Sequence, residues 1–259
     1  MIAVERKPSP GTIGIISGEI ARFSDFNACL LHLERPTGSR ISWARSSCIA
    51  SNLNAVTRDL MASNGEWLWV LGDDHMFHRE ILMKLLDRNV DIVAPLVTQK
   101  VPPFSAVVFQ RADDDPRQYY LRALTGGPQG LVKVDACGNA GMLIRRQVFE
   151  VMSPPWWEIG QVSSDKLGED LWFFHKLNRH GIPIYTDCDI RIGHMTAMCL
   201  YPNRDEDGAW GVLLSLGNGV HAQLMHGPPD PREALPSEAD LVYPGTSGAS
   251  AQLSMEEVY

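Results

Sequence analysis

The sequence predicts an α/β protein: a mostly parallel central sheet flanked by helices, with a small antiparallel part. Three observations carry that expectation. Thr12 to Ser17 (TIGIIS) and Trp67 to Leu71 (WLWVL) are short, nearly continuous apolar runs, the pattern of strands buried on both faces. Between them, Cys48 to Ser63 places Ile49, Leu53, Val56, Leu60 and Met61 at helical spacing and stops at Asn64-Gly65. Strands that alternate with helices argue for a parallel sheet covered on both faces.

The remaining elements follow in order. Arg79 to Leu86 reads as a helix and Asp91 to Pro95 (DIVAP) as a third strand, so residues 11–100 read β, α, β, α, β. Phe104 to Phe109 and Gln118 to Ala123 read as short antiparallel strands. The acids of Asp113-Asp114-Asp115-Pro116 between them belong to a solvated turn rather than a metal site, because Pro116 and polar flanks mark a surface hairpin. Asn139 to Val151 holds a strand and then the start of a helix. Glu169 to His180 is an amphipathic helix with Leu171, Phe174 and Leu177 on one face, ended by Gly181. Ile182 to Tyr185 and Ile190 to Ile192 read as two short strands. Residues 1–226 therefore form the body of the protein, and 227–259 a Pro-rich tail with few apolar clusters.

Composition narrows the function classes. The net charge is −8, which speaks against a broad basic surface for nucleic acid. From Gly227 onward six acids face Arg232 alone, so the tail supplies −5 of the −8 and the body is only mildly acidic. No apolar run approaches the roughly 18 residues that span a bilayer, so no transmembrane segment is expected. Met1 to Pro10 has no apolar signal-peptide core, which predicts a protein that stays in the cytoplasm. The five cysteines (Cys29, Cys48, Cys137, Cys188 and Cys199) are scattered and form no C-x-x-C pair, so they suggest neither a disulfide framework nor a zinc-thiolate site.

The chemistry-bearing residues cluster at predicted strand ends. In open α/β sheets, ligands bind outside the carboxyl ends of the strands. Ser17-Gly18-Glu19 and Asp73-Asp74-His75 both stand there. In an extended segment residues two apart point the same way, so Asp73 and His75 can converge on one cation while Asp74 turns elsewhere. A carboxylate with an imidazole suits an ion such as Mn²⁺. Acids after a strand also cap helices, so this triplet alone proves little. His194 follows a short late strand and can complete a two-ligand site. Glu169 and Asp170 open a helix, where the macrodipole favours acids; one of them can instead serve as a general base. Trp156 and Trp157 suit either an acceptor platform or the core.

Five pieces in order resemble a GT-A-fold glycosyltransferase, similar to the family 2 group and its short phage and bacterial members. They are TIGIIS, Arg45 to Asn52 (RSSCIASN), GEWLWVLGDDHMF, Gly138 to Met152 (GNAGMLIRRQVFEVM) and Gly168 to His194. Together they span about residues 11 to 196. The resemblance implies a Rossmann-like GT-A catalytic domain over 1–226, with a nucleotide-sugar half at about 11–100 and an acceptor half at about 101–226. It implies a metal-dependent transfer from a nucleotide-diphosphate sugar, UDP first, with Mn²⁺ or Mg²⁺ as cofactor. The implied metal ligands are Asp73, His75 and His194, in a D-x-H form of the usual D-x-D motif.

Donor contacts are implied at Ser17, Gly18, Glu19, Arg45 and Asn52, and further along at Asp73, Asp74, Lys100 and Gly141. Asp170 is the implied base, with Glu169 second. A D-x-H triplet occurs in retaining polypeptide N-acetylgalactosaminyltransferases, whereas a Glu-Asp base is typical of inverting family 2 enzymes, so the stereochemistry stays open. The acceptor is also open among protein, glycan, lipid-linked sugar and a modified base. For a phage-encoded chain the compartment would be the host cytoplasm. Two rivals remain. A sugar nucleotidyltransferase would want a Gly-rich basic loop after the first strand, where SGEIARFSDF stands instead. A catalytically inactive nucleotide-sugar-binding module would bind donor without turnover.

Overall fold

The computed structural model describes residues 8–18, 24–100, 104–111, 121–124, 128–162, 165–196, 199–204, 210–217 and 220–224. Glu19, the Asp113-Asp114-Asp115 turn and the 227–259 tail lie outside the described residues. Contacts divide the chain into two units, one of Met1–Thr98 with Ser105–Met195, the other of Gln99–Phe104 with Thr196–Tyr259.

The first unit begins with β1 (Thr12–Ser17), α1 (Ser24–His32), β2 (Arg40–Arg45), α2 (Ile49–Met61), β3 (Trp67–Gly72), β4 (His75–Met76), α3 (Ile81–Asp87) and β5 (Ile92–Leu96). It continues with β6 (Val108–Arg111), β7 (Leu121–Ala123), β8 (Leu131–Val134), β9 (Ala136–Cys137), β10 (Leu143–Arg145) and α4 (Arg146–Val151). It ends with β11 (Gly160–Val162), β12 (Asp165–Leu167), α5 (Glu169–Arg179), β13 (Ile184–Arg191) and β14 (Gly193–His194). The second unit holds β15 (Cys199–Arg204), β16 (Trp210–Gly217) and β17 (Val220–Leu224), an antiparallel sheet in that order.

A seven-stranded sheet organises the first unit, in the order β2-β1-β3-β10-β5-β13-β8. β2, β1, β3, β5 and β13 share one direction, and β10 and β8 run against them. The apolar runs behave as their composition dictates: β1 is almost wholly buried, and Trp67 to Leu71 of β3 are buried without exception. α2 lays Leu53, Val56 and Leu60 onto this sheet, and Phe173, Phe174 and Leu177 of α5 join the same core. The antiparallel part is a three-stranded sheet, β7-β6-β9. The α/β class and the mostly parallel central sheet are thus those of the structure.

Several elements depart from the sequence reading. α1 and β2 stand where no element was expected, so β2 forms the edge beside β1. β13 is one strand where two were expected, with a register shift against β5 between Asp187 and Arg191. Its buried acid is satisfied inside: Asp187 is fully buried, pairs with Arg88, and accepts the Asp189 amide at 3.0 Å. Trp156 and Trp157 are core residues. The Trp157 indole stacks on Phe173 with centroids 3.9 Å apart and donates to Thr57 Oγ1 at 3.0 Å, and Trp156 Nε1 donates to Phe149 O at 3.0 Å.

Candidate metal and donor site

The five co-directional strands end on one edge of the sheet, at Ser17, Arg45, Gly72, Leu96 and Arg191. β3 delivers the first cluster residues there. After Gly72 the chain turns through Asp73 and Asp74 and enters β4 at His75, which is buried. The Gly72 amide donates to His75 Nδ1 at 3.0 Å and so fixes the ring against its own turn.

His194 reaches the same point from the far end of the sequence. β14 pairs antiparallel with β4, with His194 opposite His75 and Gly193 opposite Met76. The Met195 amide donates to Asp74 O at 2.8 Å, which closes this small ladder onto the turn. His194 Nδ1 lies 3.1 Å from Thr98 O. Since a carbonyl only accepts, Nδ1 carries the hydrogen.

The Asp74 carboxylate stands between the two rings. Its Oδ1 is 3.6 Å from His75 Nε2 and its Oδ2 is 3.8 Å from His194 Nε2. The imidazole centroids are 5.3 Å apart, at an interplanar angle of 63°. One ligand atom from each of Asp74, His75 and His194 lies within 4.8 Å of the others, a spacing that can hold a metal ion. The structure thus brings the two predicted histidines together, and the carboxylate between them is that of Asp74. Residues 73–74 form a turn rather than an extended segment, and Asp73 is buried in it.

Ser17, Gly18, Arg45 and Asn52 lie at or beside the same edge. Ser17 is buried; its Oγ accepts from Trp43 Nε1 at 2.9 Å and its carbonyl from Asn52 Nδ2 at 3.2 Å. Asn52 also donates to Ser46 O at 3.0 Å and accepts from Ser46 Oγ at 2.7 Å, so it braces the start of α2 against the end of β1. Gly18 is exposed with open space at its Cα, and exposed Arg45 stands opposite Ser17 in the β1–β2 register. Gly141 has φ +69°, its carbonyl accepts from Trp69 Nε1 at 2.8 Å, and a Cβ there would meet Ile192 and Pro95 at 2.9 Å. That is a packing demand for glycine, and the residue is buried. Lys100 belongs to the second unit.

α5 precedes β13, so its first turn opens on this edge as well. Asp170 Oδ1 accepts the Leu171 amide at 2.7 Å, yet burial pushes its carboxyl above the usual Asp range of 3.8, against that hydrogen bond. The charge of Glu169 acts on Cys48, the exposed residue before α2, whose thiol is lowered chiefly by hydrogen bonds from Ser51. Sequence reasoning passed over Thr98, whose part is played by a backbone carbonyl and leaves no residue-type signal.

No family model and no curated protein matches this chain. Solved structures do. The crystal structure of A197 from STIV is 15% identical, covers 83% of this chain and 98% of that one, and has a TM-score of 0.50. A crystal structure of GalNAc-T7 with UDP, GalNAc and Mn²⁺ is 11% identical, covers 74% of this chain and 45% of that one, with a TM-score of 0.48. The likeness to A197, at that identity, is one of fold. Among the described residues, no helix is long and apolar enough to cross a membrane.

Proposed function

We propose that the chain is a metal-dependent glycosyltransferase, moving a sugar from a nucleotide-diphosphate sugar, UDP-sugar first, to an acceptor hydroxyl. The cluster of Asp74, His75 and His194 supports this most, because it stands at the strand-end edge where α/β sheets bind ligands. Its donor set fits a divalent cation. A carboxylate with imidazole nitrogen suits Mn²⁺ better than Mg²⁺, which prefers oxygen throughout. His194 meets the further requirement of a ring nitrogen carrying a lone pair, since its other nitrogen is spent on Thr98 O. A cation bound there would neutralise charge on the departing nucleotide diphosphate.

The chain's own residues would do the rest. Ser17, Gly18 and Arg45 form the rim over which the nucleotide lies, with Arg45 offering a charge-assisted contact to phosphate. Asp73 and Asp74 follow at the sugar side. Asp170 is the base, and Glu169 the second candidate. A carboxyl whose proton affinity is raised by burial is better suited to taking a hydroxyl proton than a solvated one. The acceptor oxygen bonds to the anomeric carbon, the bond from that carbon to the phosphate oxygen breaks, and the acceptor proton passes to Asp170.

The test is donor turnover across a nucleotide-sugar panel with Mn²⁺, for the wild type, Asp74→Asn and Asp170→Asn. Loss of a general base costs about 10²- to 10⁴-fold, so Asp170→Asn should lose transfer on that scale and still bind nucleotide. Undiminished metal-dependent turnover in Asp74→Asn would sink the reading. Pyrophosphate release from a nucleoside triphosphate would replace it with nucleotidyl transfer.

A further inference from the structure

Asp74, His75 and His194 are not equivalent donors. A backbone amide always carries its hydrogen, so the Gly72 N–H that points at His75 Nδ1, 3.0 Å away, needs a lone pair there. A neutral imidazole has one N–H, and in His75 it must then sit on Nε2. A ring nitrogen bearing hydrogen has no pair to give a metal. That Nε2–H faces Asp74 Oδ1 at 3.6 Å. His194 is the reverse case. Its Nδ1–H is spent on Thr98 O, so the lone pair lies on Nε2, which faces Asp74 Oδ2 at 3.8 Å. Metal-ligating histidines almost always donate their second N–H to a carbonyl, carboxylate or water; His194 does so and His75 does not.

We infer that a divalent cation at this site is held by Asp74 and by Nε2 of His194, and that His75 is a positioning residue that stays off the metal and aims the Asp74 carboxylate. The inference rests on the proposed function in taking a cation as the occupant. The surroundings hold His75 in this role. The ring lies across Gly72, where a Cβ would meet its Cε1 at 3.3 Å and its Nε2 at 3.4 Å. The side chain is buried, so turning the ring to offer a lone pair would break the hydrogen bond from the Gly72 amide inside the protein. Two protein ligands also leave most of the coordination sphere to oxygen atoms, which a diphosphate and water supply.

The experiment uses the full chain with Mn²⁺ as probe. Pulsed EPR counts the nitrogens bound to Mn²⁺ in the wild type, His75→Gln and His194→Gln, and a titration gives each affinity. One nitrogen is expected in the wild type and in His75→Gln, and none in His194→Gln. His75→Gln keeps an N–H donor and should bind Mn²⁺ at most about tenfold more weakly, whereas His75→Ala should fall further, within the roughly 10- to 100-fold that outer-shell losses cost. Imidazole ¹⁵N spectra of the metal-free chain should show His75 as the Nε2–H tautomer and His194 as the Nδ1–H tautomer. Two nitrogens in the wild type, one of them lost in His75→Gln, would overturn the inference, as would wild-type affinity in His75→Ala. Absence of Mn²⁺ binding would overturn it together with the metal-dependent function. A one-nitrogen site on a chain that transfers no sugar would sink the function alone.

Discussion

The Cα of Gly72 lies directly under the carboxylate of Asp74: a Cβ there would sit 2.6 Å from Asp74 Oδ1. The crowded atom is the tip of a side chain, so an added methyl is accommodated by moving that tip rather than the backbone. Gly72→Ala should therefore change unfolding free energy by no more than about 1 kcal/mol. It should weaken Mn²⁺ binding by about tenfold, because the displaced group is a ligand. Thermal unfolding beside a Mn²⁺ titration separates the two effects, and unchanged affinity would contradict the placement of Asp74.

Arg146 seals the other end of the sheet. Its guanidinium donates to the carbonyls of Leu60 at 3.1 Å, Met61 at 3.0 Å, Ser63 at 2.8 Å and Gly65 at 3.3 Å, and to Glu150 at 2.8 Å. These carbonyls end α2, where a helix leaves acceptors unmatched. Arg146→Ala should cost about 2–3 kcal/mol, read from the denaturation midpoint. Mn²⁺ affinity should not move, since these carbonyls precede the start of β3 and the cluster follows its end.

Trp157 gives a test of core against acceptor platform. Trp157→Phe keeps a ring for Phe173 and loses the bond to Thr57 Oγ1. A loss of about 1–2 kcal/mol in stability is expected, with acceptor KM unchanged. A raised KM at unaltered stability would return this residue to the binding surface.

Asp170 makes stability depend on pH in a definite direction. Burial raises its pKa above 3.8, so the folded chain holds the proton more tightly than the unfolded one. The contribution is complete below the unfolded value and is lost as pH rises through the folded value. Asp170→Asn keeps an acceptor for the Leu171 amide without the buried charge. Its melting temperature should exceed the wild type's at pH 7, and the difference should shrink toward pH 4. An equal gap at both pH values would mean that the charge of Asp170 carries no folding cost.

Where side-chain chemistry and burial agreed, the sequence was informative. WLWVL could only be a buried strand, and α2 announced itself by Leu53, Val56 and Leu60. β2 was silent because its pattern is inverted: Ser42 and Ala44 are buried, while Ile41 and Trp43 are partly exposed at the sheet edge. α1 was silent because it buries only Phe26 and Cys29 and leaves Leu31 in solvent. At the site, residue type sufficed to single out His75 and His194. That the Asp74 carboxylate stands between the two rings depends on the two-residue turn at 73–74, which composition does not encode. The buried Thr186 and Asp187 hid the continuity of β13, since the charge of Asp187 is tolerated only beside Arg88.

The reversed strand β10 divides the seven-stranded sheet into two half-sheets and is the strand that joins them within it. β2, β1 and β3 lie on one side of it, β5, β13 and β8 on the other. This joining strand is three residues long, with Leu143 and Ile144 bonded to both halves. Asp74 and His75 extend from β3, whereas His194 and the Thr98 carbonyl extend from the β13 and β5 side. A cation gripped by Asp74 and His194 would act as a further fastener across the same join, beside the β4–β14 pairing. Its occupancy would then be felt as mechanical resistance to unzipping the molecule along β10, well beyond the few atoms that touch it.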